Sequence, residues 1–174
     1  MFALVLGCNA VACNLDNPGD DPPRAMLYFP NALALSPHSE DGTEPARYLY
    51  VVNSDFDLRY NAGTVQAYSL NDLEAAVRAC DPKPCIIDTD EAFQAEVSIP
   101  AFSQSIASSA SGERLFVATR TGESLTYVTA NPTASGRDVL RCEGGCGVEK
   151  TAAPADLKIL RDLSWPEEPR AVIA

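Results

Sequence analysis

Three short stretches occur twice in this chain, in the same order and at a shrinking separation. The first set runs Phe29-Pro-Asn-Ala-Leu-Ala-Leu-Ser-Pro37, then Arg47-Tyr-Leu-Tyr-Val-Val-Asn53, then Gly63-Thr-Val-Gln-Ala-Tyr-Ser-Leu-Asn71. The second runs Ile99-Pro-Ala-Phe-Ser-Gln-Ser-Ile-Ala-Ser-Ser109, then Gly112-Glu-Arg-Leu-Phe-Val-Ala-Thr119, then Gly122-Glu-Ser-Leu-Thr-Tyr-Val-Thr-Ala-Asn131. Leu33 matches Ile106 at an offset of 73, Leu49 matches Leu115 at 66, and Val65 matches Leu125 at 60. Falling offsets describe the same elements joined by shorter loops, and self-similarity of this kind marks a repeat architecture.

Each stretch reads as a β-strand. Tyr48 to Val52 and Leu115 to Ala118 are rich in β-branched and aromatic residues and are bounded by turn residues. Thr64 to Leu70 alternates in character, as a strand with two different faces does. Asn61-Ala-Gly63 and Thr121-Gly122 supply the turns before the third strand, and Ala95 to Ile99 reads as a fourth. Between the copies, Asn71-Asp-Leu-Glu74 has the spacing of a helix cap and predicts a short helix over Asp72–Arg78. A comparable insertion, with a weaker helical signal, spans Pro132 to Ala155. Ser164-Trp-Pro-Glu-Glu-Pro-Arg-Ala-Val-Ile-Ala174 resembles the start of each copy and reads as the beginning of a third unit near residue 165.

The pattern Pro-x-Ala-Leu-Ala-Leu-Ser-Pro, Tyr-Leu-Tyr-Val-Val-Asn and Gly-Thr-Val-Gln-Ala-Tyr resembles the YVTN-type repeat, also found in lactonase-like propellers. That resemblance covers Phe29–Asn71 and Ile99–Asn131. It implies an all-β fold, a partial β-propeller of about two blades plus the start of a third. The blade-like units are 29–71 and 99–131, inside a domain spanning 26–174. Two such units cannot close a ring, so the chain alone is expected to leave apolar faces open and to self-associate.

The six cysteines bear on the compartment. Cys80/Cys85 and Cys142/Cys146 form two tight pairs in stretches rich in Pro or Gly. Their gaps of four and three residues fit local disulfides better than the C-x2-C knuckles of a zinc site, and disulfides belong to oxidising compartments. The remaining two are Cys8 and Cys13. Val5-Leu6-Gly7-Cys8, which ends an apolar run, resembles the lipobox of bacterial lipoproteins. It implies a signal segment over residues 1–13 with lipidation at Cys8. The alternative is a Cys8–Cys13 bridge. Residues 14–25 are polar, acidic and Pro-rich, the composition of a disordered tether. Together these features predict an exported protein, periplasmic or associated with the outer membrane, touching lipid only through the anchor. The long cysteine-bearing insertions also resemble the secreted lipoprotein propellers of some Gram-negative bacteria.

A formal charge of −11, from 24 acidic and 13 basic side chains, repels phosphate backbones and argues against nucleic-acid binding. Catalysis has little material. The single histidine, His38, sits in the polar loop Ser36-Pro-His-Ser-Glu40, no G-x-S-x-G elbow exists, and the central strands Ala32–Leu35 and Ser105–Ser108 offer no titratable base. No cofactor is expected. The one metal hypothesis is calcium at Asn53, Asp55 and Asp57, oxygen donors at alternate positions, although Leu58 and Thr64 stand where an EF-hand has its Gly and Glu. A binding or scaffold role for a protein or small ligand is the preferred expectation. Its surface is the loop Ser54–Asn61 with Phe56, Leu58, Arg59 and Tyr60, an aromatic-plus-Arg set that could equally pack against a neighbouring unit. The alternative is a lactonase-like hydrolase whose site lies largely in other blades.

Overall fold

The computed structural model describes residues 19–39, 43–81, 84, 86–120 and 124–142. Among the described residues eight strands form two four-stranded antiparallel sheets, so the expectation of a mainly β chain holds. The first sheet has the order β1 (Pro30–Leu35), β2 (Tyr48–Asn53), β3 (Gly63–Ser69), β4 (Phe93–Ile99). The second has β5 (Ser103–Ser108), β6 (Arg114–Thr119), β7 (Ser124–Ala130) and the two-residue β8 (Leu140–Arg141). Both are simple meanders, each strand pairing with the next in sequence. The fourth strand read at Ala95–Ile99 is β4 and completes the first sheet.

The two sheets share one register. Leu33 pairs with Val51 in the first and Ile106 with Val117 in the second; Leu49 faces Tyr68 and Leu115 faces Val128. Offsets of 73, 66 and 60 carry every pair among β1–β3 onto a pair among β5–β7. Even the irregularities match. Each sheet has a register shift in its first strand, at Pro30/Ala32 and Ser103/Ser105. Just before it, Phe29 and Phe102 take positive φ angles of 46° and 57°. Bulky side chains avoid that region, and each phenylalanine carbonyl accepts the equivalent backbone N–H, from Ser54 at 3.1 Å and from Arg120 at 3.2 Å.

Alternation along the strands gives each sheet two faces. In the first sheet the A face carries Leu33, Leu35, Leu49 and Val51, and the B face carries Ala32, Ala34, Tyr50 and Val52. In the second the A face carries Ile106, Ser108, Leu115 and Val117, and the B face Ser105, Ala107, Phe116 and Ala118. The main core joins Tyr50, Val52, Val65 and Ala67 to Ile106, Leu115, Val117 and Val128, with Ala32 and Ala34 packed against it. The B face of the first sheet therefore meets the A face of the second. Strand β1 lies beside β5 and β4 beside the 3-10 turn Gly136–Val139 and β8, so the sheets stack head to tail. The far A face, on the first sheet, forms a separate small cluster of Val51, Tyr68 and Ala92 with Leu49, Leu73 and Phe93.

Three local features differ from the sequence reading. The helix, α1, spans Leu70–Ala79 and is capped by Ser69, whose hydroxyl accepts from the Asp72 N–H, rather than by Asn71. Ser69 ends β3 in an extended conformation with its oxygen at the cap position, so the helix starts a half-turn earlier. Second, residues 19–25 of the expected tether lie against the first sheet. Asn61 donates its N–H to the Asp20 carbonyl at 2.9 Å and its side-chain amide to Asp21 at 2.7 Å, and the Arg24 guanidinium sits 5.6 Å from the Phe93 ring. Hydrogen bonds and a cation–π contact hold a segment whose composition offers little to bury. Third, Gly63 is required by close approach, since a Cβ there would come within 2.7 Å of the Asn53 carbonyl oxygen.

Candidate interaction site

The loop after β2 emerges where the two sheets meet. Ser54 donates its N–H to Phe29 and its carbonyl accepts from Phe102 at 2.7 Å, so its backbone ties the first strands of both sheets together. From that tie the chain turns sharply. Asp55 and Leu58 take positive φ angles of 47° and 54°, and the Leu58 N–H closes onto the Asp55 carbonyl at 3.2 Å. The turn pushes Phe56 and Leu58 outward, with 61% and 59% of their surface exposed. Phe56 stands edge-on to Phe102, ring centroids 5.7 Å apart. Tyr60 is held more firmly, edge-on to Tyr28 at 4.8 Å, with the Arg59 guanidinium 5.5 Å from its ring. The predicted surface residues thus form one projecting loop, with Phe56, Leu58 and Arg59 exposed and Tyr60 serving as its foot.

The oxygens of the calcium hypothesis are separately engaged. The Asn53 side-chain oxygen accepts the Tyr28 N–H at 3.1 Å and its amide donates to Thr64 at 3.0 Å, so this residue fastens the 19–28 segment to the sheet. Asp57 accepts the Arg59 N–H at 3.2 Å, and Asp55 accepts the Tyr60 N–H at 3.1 Å. Among the described residues no group of three or more His, Cys, Asp or Glu side chains could hold a metal ion. Asp55 is fully buried and its second carboxylate oxygen has no hydrogen-bond partner. Burial raises its pKa, opposed by the N–H of Tyr60. The carboxylate shapes the turn from beneath.

Behind the loop a polar ladder supports the A face. The Tyr68 hydroxyl donates to Gln66 at 2.6 Å, and the Gln66 amide donates to the Met26 carbonyl at 3.1 Å and to Glu96. Glu96 is pushed upward in pKa by burial, which the Gln66 hydrogen bond and nearby Arg24 oppose. Sequence reading missed this ladder because its members sit at ordinary strand positions. Hollows open both away from this ladder and against it. One of about 670 Å³ is bordered by Glu113, Arg114, Asp138 and Arg141, and one of about 350 Å³ by Arg24, Glu96 and Arg137. His38 is exposed in its loop and borders neither.

Cys80 and Cys142 are each disulfide-bonded. Their expected partners Cys85 and Cys146 lie outside the described residues, as do Cys8, Cys13, the Thr121–Gly122 turn and the third unit expected near residue 165. Among the described residues no helix is long and apolar enough to cross a membrane. No family model, curated protein or solved structure matches the chain.

Proposed function

We propose that this chain is part of an exported, lipid-anchored β-propeller of the YVTN or lactonase-like kind, serving as a binding or scaffold module. The observation that carries the reading is the head-to-tail stacking of two meanders in one register. Propellers arrange four-stranded sheets in this way around an axis, first strands inward and last strands outward, and here β1 adjoins β5 while β4 adjoins β8. The projecting loop supports recognition rather than chemistry. Aromatic and Arg side chains anchored at one end and exposed at the other suit an interface, and Phe56, Leu58 and Arg59 present that set. Bonded cysteines at 80 and 142 support an oxidising compartment, with bridges to Cys85 and Cys146 as the local staples. The ligand is a protein or small molecule, not nucleic acid, given a charge of −11.

The test places a photo-crosslinking side chain at position 56 in the cell envelope of the producing bacterium, with position 74 on the exposed face of α1 as control. A discrete adduct from position 56, absent at 74, supports the reading. No adduct beyond the control removes the loop as a recognition surface. Replacing Cys8 by Ser and fractionating membranes tests the anchor, with release into the soluble fraction expected.

A further inference from the structure

The 19–28 segment runs out and back over the A face of the first sheet, and both of its legs are pinned at the same end. The incoming leg starts beside the projecting loop. Asp20 bridges Tyr60 in parallel register, and Asn61 donates its backbone and side-chain N–H groups to Asp20 and Asp21. Gly19 packs so closely there that a Cβ would lie 3.1 Å from the Tyr60 carbonyl carbon. The chain then reaches Phe93 through Arg24 and turns at Ala25, which takes a positive φ of 58°. The outgoing leg passes Gln66, which holds the Met26 carbonyl at 3.1 Å. It ends at Tyr28, whose N–H is held by Asn53 and whose ring meets Tyr60.

This path fixes where the chain enters the domain. Strand β3 begins at Gly63, next to the loop, and ends at Ser69, where α1 starts. About 20 Å of strand therefore separates the loop end from the helix end. Gly19 lies at the loop end, and eleven links join it to Cys8. Eleven links span about 17–20 Å as a random coil and at most about 36–40 Å fully stretched. An anchor at Cys8 thus meets the membrane from the loop end at relaxed length. With α1 facing the membrane instead, the same links must also run the length of the sheet, close to full stretch, and lose most of their conformational freedom.

We propose that the 19–28 segment is an orienting strap, which turns the loop of Phe56, Leu58 and Arg59 toward the membrane that holds Cys8, so that the loop's partner is a protein seated at that membrane. The inference rests on the lipid-anchor reading. Phe29, 50% exposed and tied to the loop through Ser54, widens the apolar surface of this end. Exposed Asp20, Asp21 and Asp57 flank it and repel anionic headgroups, which keeps the loop off the lipid itself.

The test couples Cys8 of the full chain, carrying Cys13→Ser, to maleimide-bearing lipid in vesicles of phosphatidylethanolamine and phosphatidylglycerol; Cys80 and Cys142 are already bonded. A fluorescent side chain is placed at position 56 or at position 74. Nitroxide on the headgroups should quench position 56 at least about twofold more than position 74, given the strand length between the two ends. Equal quenching, or more at 74, overturns the proposal. Asn61→Asp with Arg24→Glu sets one carboxylate against Asp21 and another near Glu96, which detaches the incoming leg, and the ratio should fall toward one. If that variant unfolds, Asn61→Ala removes only the bond to Asp21 and should lower the ratio in the same direction. A ratio unmoved by these changes overturns the strap. Nitroxide set deep in the acyl chains should leave position 56 unquenched; strong quenching there would put the loop in lipid and overturn the protein partner. Chemical coupling makes these readings independent of native lipidation. A native Cys8→Ser chain that stays in the membrane fraction defeats the anchor reading, whereas equal quenching defeats the orientation.

Discussion

Replacing Tyr50 by Phe should stabilise this protein, although Tyr50 is among its most deeply buried side chains. Tyr50 lies on the B face of β2, is 0% exposed, and belongs to the core shared by both sheets. Its hydroxyl is buried without a hydrogen-bond partner. An unsatisfied buried hydroxyl costs about 1–3 kcal/mol against one left in water. The ring fills the core in either residue, so Phe keeps the apolar contacts and removes only the penalty. The second sheet supports the exchange, since Phe116 is the register equivalent of Tyr50. The small void left by the oxygen costs under about 1 kcal/mol, which leaves a net gain of about 1 kcal/mol. For a domain of this size that corresponds to roughly 2–4 °C in melting temperature. Thermal unfolding by circular dichroism at neutral pH measures it. Burial also raises the Tyr50 pKa, so its neutral form is favoured in the fold and stability is lost as pH rises above 10.0; the Phe variant should lose less in that window. A Phe variant that melts several degrees below wild type would show that the hydroxyl is paired and that this reasoning about the core is wrong.

Ile106→Ala should cost about 2–5 kcal/mol, and Leu33→Ala, at the equivalent but exposed position, under about 0.5 kcal/mol when measured in dilute solution by urea unfolding. Equal costs would contradict the head-to-tail arrangement. Gly63→Ala should lower the melting temperature sharply, because its Cβ would meet two backbone carbonyl oxygens, at 2.7 and 3.1 Å, neither of which can move cheaply; an unchanged transition would refute that close approach. Asp55 has a folded pKa raised above 3.8, so its protonated form is favoured in the fold and its contribution is present below that pH and lost as pH rises through the folded value. Asp55→Asn keeps the acceptor for the Tyr60 N–H, and a shallower fall in melting temperature over that window is expected; an identical pH profile would refute the assignment.

The strands and their register were legible because β-pairing repeats side chains at fixed offsets, and Leu33/Ile106, Leu49/Leu115 and Val65/Leu125 kept theirs. The direction of stacking was not. Tyr-Leu-Tyr-Val-Val is apolar on both faces, so alternation names no inner side, and only the shared core of Tyr50 with Ile106 does. The positive φ at Phe29 and Phe102 was equally hidden, since such positions are expected to carry Gly or Asn. The projecting loop was visible in Phe56, Leu58 and Arg59. The role of Asn53 was not legible for a physical reason: an amide that ligates a cation and one that brackets Tyr28 to Thr64 look alike in a sequence. The 19–28 segment escaped notice because it is held through polar groups of the sheet, which hydrophobic patterning does not register.

Methyl-selective nuclear Overhauser spectroscopy on the protein in dilute solution tests the sheet arrangement most directly. Cross-peaks from Ile106 to the methyls of Ala32, Ala34 or Val52 are expected. Cross-peaks from Ile106 to Leu35 or Val51 instead would mean that like faces meet, and the head-to-tail architecture would be wrong.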